Sequence, residues 1–421
     1  MNETETYFLL KQIHVDPILT KEDKSTILET ALIYIDEYME DFISTFSDEN
    51  FHETLETSLH EYLEILFENV ISRSTELDLN TIINQALFTY FMCIIPRRSF
   101  VHSSRPLSDY KIRKLDQQIT ILRNIPQPQQ RTEEWYNSRH SMITASSAWK
   151  VFGTQSSVNQ LIYEKCKPYV SYATSNINTE SPLHWGQKYE PVSVSVYEML
   201  YDTKVEDFGC IRDDKYPFLG ASPDGINVDK KSLLFGRMLE IKNIVNREIN
   251  GIPKKEYWIQ MQLQMSVCKL NECDFLETKF FEYDSYNDFI EDSSDNKLYS
   301  KNGLRKGVFI CFNEHDLPKY VYPPLNLSYD ELDEWINLAI TESPLGWIRT
   351  IYWRLDILSC VLVCRNRQWF DVAIPKIQET WNIIERERLY GYEHRAPNKK
   401  QKVNPTNPFE NKCLLVVKQN N

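Results

Sequence analysis

Two carboxylates and a lysine, Asp224, Glu240 and Lys242, occur in a pattern that suits phosphodiester chemistry. In Ser222-Pro223-Asp224-Gly225 the proline and glycine predict a turn that holds Asp224 at a strand end. Met238 to Lys242 alternates as a strand does, so Leu239 and Ile241 face a core while Glu240 and Lys242 share the opposite face. Brought close by a hairpin, Asp224 and Glu240 offer hard oxygen ligands suited to Mg²⁺, which keeps several waters and needs few carboxylates. Lys242 would then stand beside an attacking water or a scissile phosphate oxygen, orienting the one or neutralising the other. On an exposed strand the same residues would be an ordinary solvated face, so the rest of the chain has to decide.

The elements that must position them are legible on both sides. Phe208 to Ile211 and Tyr216 to Ala221 read as strand interrupted by Asp213-Asp214-Lys215. Upstream, Arg131 to Trp135 and Arg139 to Ser147 read as a helix, a short apolar link and a second helix capped by Thr144 or Ser146, a natural seat for phosphate with Arg139 nearby. Trp185 to Pro191 leads a helix that would place Glu190 in its first turn, as a third metal-side carboxylate or a favourable helix-start charge. Tyr257 to Cys268 reads as a helix on which Gln260 and Gln264 share a face. By itself that pair reads as surface.

Composition sets the frame. The 421 residues are 42% hydrophobic and 13% aromatic, enough for a buried core and two or three domains. No run approaches a membrane span, and the first residues lack the charged and apolar regions of a secretory signal, so an intracellular compartment is expected, host cytoplasm or nucleus. Nine scattered cysteines fit reduced thiols, not a disulfide framework or a zinc site.

Charge is uneven. Residues 1–95 carry 19 acidic and 4 basic side chains, net −15, which leaves +2 for the remainder of a chain whose total is −13. A locally neutral or basic groove can still bind DNA. Three amphipathic stretches in residues 20–95 predict an acidic helical domain, the first capped by Thr20 with Leu28, Leu32, Ile35, Met39, Phe42 and Phe46 on its stripe. Residues 96–130 read as a basic connector ending in a Pro/Gln hinge, 131–395 as the domain that carries the chemistry with its C-terminal extension, and 396–421 as a disordered basic tail. Lys399-Lys400-Gln401-Lys402 in that tail suits a nuclear address, a nonspecific DNA contact or a solvated end. The loop from Asn227 to Gly236, with Asp229, Lys230 and Lys231, suits either a DNA contact or a solvated tip.

Five blocks in order, "RHSMITASS", "WGQKYEP", "FLGASPDG", "LEIK" and "YWIQMQLQM", resemble the YqaJ viral recombinase family, the lambda-type exonuclease branch of the PD-(D/E)XK nucleases, over about residues 125–285. The resemblance implies an α/β fold of the restriction-endonuclease-like kind, a mixed central sheet flanked by helices, here with an N-terminal all-helical domain. It implies a metal site of Glu190, Asp224, Glu240 and the Ile241 carbonyl, Lys242 and Gln260 as further catalytic residues, and Arg139 and Ser146 on a DNA 5′-phosphate. It implies Mg²⁺, with Mn²⁺ as a substitute, and an exonuclease that trims duplex DNA from its 5′ ends in the recombination, repair or replication of a large DNA virus. A ring-shaped homotrimer and a single-strand annealing partner are the family's associations. The rival readings are a structure-selective endonuclease or nickase on the same core and a noncatalytic scaffold that binds DNA ends.

Overall fold

The computed structural model describes residues 19–42, 45–46, 48, 50–71, 76–93, 95–99, 106–128, 130, 132–168, 178–179 and 181–397. Helix α1 (Lys21–Phe42) begins at Thr20 with a reciprocal cap: Thr20 Oγ1 accepts from the Asp23 N–H at 3.1 Å, and Asp23 Oδ2 accepts from the Thr20 N–H at 3.0 Å. Its packed face is Ile27, Ala31, Ile35 and Met39. The expected stripe is therefore offset by one position at its start. Leu28 and Leu32 are half-buried at its edge and Phe42 is 46% exposed, because small Ala31 takes the line of closest helix approach. Helices α2 (Phe51–Leu66) and α3 (Glu76–Cys93) complete this acidic layer.

The layer shares its core with the sheet. Strand β1 (Arg97–Arg98) pairs with the far end of the sheet's longest strand, Arg97 opposite Leu362. His52 Nε2 accepts from the Arg98 N–H at 2.8 Å, the Arg98 guanidinium lies 5.9 Å from the Phe46 ring centre, and Arg98 Nη1 donates to Ser359 Oγ at 2.6 Å. One apolar core runs from Ile27, Leu55 and Ile83 to Val361 and Val363. Residues 96–130, read from sequence as a connector, contain β1 and helix α4 (Asp109–Asn124). Two of the basic side chains there form ion pairs: Lys111 with Glu272 at 3.2 Å and Arg123 with Glu206 at 2.5 Å. Gln127 Oε1 accepts from the Gly209 N–H at 2.6 Å, so the Pro/Gln hinge is tied down too.

Helices α5 (Glu133–His140), α6 (Gln155–Cys166) and α7 (Pro182–Tyr201) follow, with β2 (Ile143–Thr144) between the first two. Short strands β3 (Val205–Glu206), β4 (Ile211–Arg212), β5 (Leu219–Ala221) and β6 (Gly225–Asn227) lead to β7 (Met238–Asn243). Then come α8 (Lys255–Cys268), β8 (Glu272–Glu282), β9 (Lys306–Glu314), β10 (Leu317–Val321), α9 (Tyr329–Glu342), β11 (Gly346–Cys364) and α10 (Arg367–Tyr390). The main sheet has the order β10-β9-β11-β8-β7-β6-β3 with β1 added against β11, and a small sheet has the order β2-β5-β4. The β7–β8 pair is parallel, with Glu240 opposite Phe275 and Lys242 opposite Glu277; the other pairs of the main sheet are antiparallel. A mixed α/β fold with a helical N-terminal layer is thus the architecture.

Both faces of β7 are covered, as a central parallel strand requires. On one side Tyr197 and Tyr201 of α7 pack on Leu239 and Ile241. On the other, α8 brings Ile259, Met261 and Leu263 against Met238 and Phe275. The solvated-face reading of Glu240 fails here, because α8 roofs that side. Two glycines mark close approaches: a Cβ on Gly225 would fall 2.1 Å from Val205 Cγ1, and one on Gly307 would fall 2.3 Å from Trp353 Cζ2. Helix α9 opens with a capping box: Ser328 Oγ accepts from the Glu331 N–H at 3.3 Å and Glu331 Oε2 accepts from the Ser328 N–H at 2.7 Å. The loop from Asn227 to Gly236 turns inward, with Lys230 2.8 Å from Asp116 of α4. Seven described cysteines are unpaired and six of them are buried. No described helix is long and apolar enough to cross a membrane. The basic run of the tail lies outside the described residues.

Burial, with Arg97 and Arg98 beside it, pushes the His52 imidazole down to about 3. The folded protein keeps His52 neutral, whereas the unfolded chain takes up a proton near the ordinary value of about 6.5. Stability from this site is full above pH of about 6.5 and declines as pH falls toward 3. His52→Gln, which keeps an acceptor but cannot protonate, should show a smaller drop in denaturation midpoint between pH 7 and 5 than the native protein. Equal drops would show that His52 does not link the helical layer to the sheet.

Candidate active site

The turn Ser222-Pro223-Asp224 joins β5 to β6 and places consecutive polar side chains on either side of Pro223. Asp224 Oδ2 accepts the Ile241 N–H at 2.7 Å, which ties the turn to the middle of β7. Glu240 is fully buried. Its Oε1 accepts from Lys242 Nζ and from Gln260 Nε2 at 2.7 Å, and its Oε2 accepts from Gln264 Nε2 at 2.7 Å. Gln264 Nε2 also reaches the Ser222 carbonyl at 3.3 Å. Gln260 and Gln264 stand one turn apart on α8, which fits a pair of amides to one carboxylate. The surface reading of that pair is corrected by their burial, at 9% and 1% exposure. Gln264 and Ser222 were missed as site residues; the i, i+4 repeat of glutamine was the available signal for the first.

A cavity of about 500 Å³ opens beside this turn, lined by Glu190, Asp224, Ile241, Lys242, Arg247 and Tyr257 among others. Glu190 is well inside α7, which starts at Pro182 with Ser181 as its cap, so the helix-start role considered for it does not hold. Lys242 Nζ lies 5.1 Å from the Tyr257 ring centre, within cation–π range. Against the desolvation of its burial, the Glu240 and Asp224 carboxylates hold the Lys242 ammonium above the ordinary lysine range. Burial, then the charges of Glu240 and Glu190, push Asp224 well above the ordinary carboxyl range.

The four groups expected at a metal divide between a buried network that holds Glu240 and a cavity lined by Glu190, Asp224 and Ile241. Glu240 has turned both oxygens to Lys242 and the two glutamines, and no group of three or more acidic, histidine or cysteine side chains among the described residues stands ready to hold an ion. The residues fit a hard divalent cation in another respect. Glu190, Asp224 and Ile241 line one cavity, and Asp224 sits among carboxylates whose negative charge a cation there would relieve.

Across Ser222 the charge reverses. Arg139, near the end of α5, donates from Nη2 to Ser146 Oγ at 2.9 Å and from Nη1 to Ser222 Oγ at 3.4 Å, with its guanidinium 4.4 Å from the Trp135 ring centre. The helix expected after Thr144 is one turn, Ala145–Ala148, and Thr144 makes no side-chain cap bond to it. The seat is therefore made by a guanidinium and two hydroxyls, not by a helix end. Lys165 of α6 donates from Nζ to the Arg139 carbonyl at 2.7 Å. Burial first, and then Arg139, pushes Lys165 down to about 7, the mirror image of Asp224.

Comparison with known proteins follows the same region of the chain. Residues 134–271 match the model of the YqaJ-like viral recombinase domain. An uncharacterized protein of Acanthamoeba polyphaga mimivirus is 30% identical over 302 residues, 63% of this chain and 54% of that protein, so the chain spans about half the length of this curated relative. Among solved structures, an alkaline exonuclease from Laribacter hongkongensis is similar over 62% of this chain and 95% of that one, at 19% identity and a TM-score of 0.37. A phage related exonuclease from Haemophilus somnus 129PT is similar over 61% and 96%, at 15% identity and a TM-score of 0.30.

Asp224→Asn keeps an acceptor for the Ile241 N–H and removes one of the crowded negative charges. In EDTA this variant should melt higher than the native protein, by about 2–4 °C if the relief is near 1 kcal/mol. Added Mg²⁺ should raise the native melting temperature and leave that of the variant nearly unmoved. A variant that melts lower in EDTA would mean that Asp224 is not held against its neighbours' charge.

Proposed function

We propose, from the match of residues 134–271 to the YqaJ-like viral recombinase domain, that the protein is a metal-dependent DNA exonuclease that degrades one strand of a duplex from its 5′ end. The observation that carries this reading is the Ser222-Pro223-Asp224 turn, which gives Ser222 to the Arg139 seat and Asp224 to the carboxylate cavity. An anion seat and a cation site joined by three residues suit a substrate whose terminal phosphate and scissile phosphate are neighbours on one strand. In this reading Asp224, Glu240 and the Ile241 carbonyl, with Glu190, hold Mg²⁺ or Mn²⁺. The bound ion would supply activation of water and charge stabilisation at the leaving oxygen.

The chain's own residues do the rest. Lys242 stands between Glu240 and the cavity, placed to orient an attacking water and to meet negative charge developing on the phosphoryl oxygens. Gln260 and Gln264 hold Glu240 from behind and fix its plane. Arg139 with Ser146 and Ser222 binds the 5′-terminal phosphate, since a guanidinium grips a phosphate dianion in bidentate fashion. The product would be a duplex with a 3′ single strand, the substrate of an annealing partner in the recombination of a large DNA virus, inside the host cell. The acidic helical layer is the surface we assign to that partner, and residues 131–395 are the catalytic unit.

Three substrates separate the rivals: linear duplex with 5′-phosphate, the same duplex with 5′-hydroxyl, and closed circular duplex, each with Mg²⁺ or EDTA. Cleavage of the phosphorylated linear duplex in Mg²⁺ alone is the expected result. Cutting of the circle supports the endonuclease reading, and binding without cutting supports the scaffold. Lys242→Ala should lower turnover by on the order of 10²-fold or more, as loss of one charge-stabilising group does. Arg139→Ala should narrow the ratio of initial rates on phosphorylated and hydroxyl ends by about 10- to 150-fold, the worth of about 1.5 to 3 kcal/mol. If both rates fell with the ratio unchanged, Arg139 would be a nonspecific groove contact.

A further inference from the structure

Helix α10 lies beyond residues 134–271, yet its last turn reaches the end of α5, the helix that carries Arg139. Arg388 donates from Nε and Nη2 to the Lys165 carbonyl, at 3.0 and 2.7 Å, and from Nη2 to the His140 carbonyl at 3.0 Å. Its guanidinium also lies 5.1 Å from the ring centre of Trp381, one of α10's own buried residues. Lys165 in turn donates to the Arg139 carbonyl. The last two carbonyls of α5 are thus held by cations from α6 and α10. A helix terminus needs such partners for its orphan acceptors, and cations at the C-terminal end suit the helix dipole.

The Arg139 side chain leaves α5 in its last turn, the part of a helix that frays most easily when its carbonyls lack donors. Arg388 ties that turn to the end of α6 in one planar group, and a lysine at the same position could not span two carbonyls in the same way. Lys165 and Arg388 thus act on the backbone behind the Arg139 guanidinium, which alone of the three meets Ser146 and Ser222.

We propose that Arg388 is a positioning residue for 5′-end recognition, so that the C-terminal helix is a working part of the phosphate seat. This rests on the reading of Arg139 as the ligand of a terminal phosphate. The test uses the full chain and two duplexes that differ only in a 5′-phosphate or 5′-hydroxyl, with binding measured in EDTA so that turnover plays no part. A misplacement of a contact group by about 1 Å can cost on the order of 10²-fold, so Arg388→Met should reduce the phosphate preference by about tenfold or more. Arg388→Lys should fall between, and added methylguanidinium should restore part of the preference to Arg388→Met. Lys165→Met should reduce the preference as well, and the double variant should lose less than the product of the single losses, as groups acting through one contact do.

A preference unchanged in both Arg388 variants overturns the proposal while leaving the Arg139 reading in place. Equal weakening on both ends, together with a lowered melting temperature, assigns Arg388 a structural role only and also overturns it. If native protein has no preference for the phosphorylated end, the reading of the seat itself falls, and this proposal falls with it.

Discussion

The site depends on the burial of one carboxylate. Glu240 has no exposed surface, and a charged group so placed is tolerated only when its oxygens are supplied with donors and its charge is balanced. Lys242 balances the charge, and two glutamines of α8 supply the remaining donors. Those requirements set the distance between α8 and β7, the rotation of α8 about its axis, and through Gln264 the position of the Ser222 carbonyl. From Ser222 the constraint passes to the Arg139 seat and from Asp224 to the cavity. The two halves of the site are therefore coupled through hydrogen bonds to one buried group.

Around this centre the fold places groups of opposite charge on the two sides of one turn. Carboxylates crowd one side of the Ser222-Pro223-Asp224 turn and cations crowd the other. Elsewhere the chain pairs its charges closely. Arg237 sits beside Glu272 and Asp274, and Lys188 beside Glu282. Perturbed titratable groups gathered at one turn are the usual mark of a functional site.

Some of this was legible in the linear chain and some could not be. The alternation of Leu239, Glu240, Ile241 and Lys242 declares a strand with two chemically different faces, and Pro223 and Gly225 declare the turn that holds Asp224. These are local signals, carried by residues within one or two positions of each other. The burial of Gln260 and Gln264 is set by the sheet on which α8 packs, so an amide pair on a helix reads as surface until that sheet is known. Arg388 lies 248 residues from the carbonyl it holds on His140, and no pattern in sequence announces such a pair. The α1 stripe shows a subtler limit: Ile27, Ala31, Ile35 and Met39 and the neighbouring Leu28 and Leu32 both follow helical spacing, and only the line of helix contact chooses between them. The donors around Glu240 are hidden in the same way, because Gln260 and Gln264 reach it only once α8 is laid on β7.

Strand β8 begins at Glu272, one residue past the end of the matched domain, and it is the parallel partner of β7 along Met238 to Asn243. The segment that carries the domain's sequence signature therefore stops short of the strand that completes its sheet. Cut at residue 271, the strand bearing Glu240 and Lys242 would have an open edge of unpaired N–H and C=O groups, a template for pairing between molecules. The part that the family model matches and the part that completes the sheet are thus different lengths of chain, and the C-terminal extension supplies the difference.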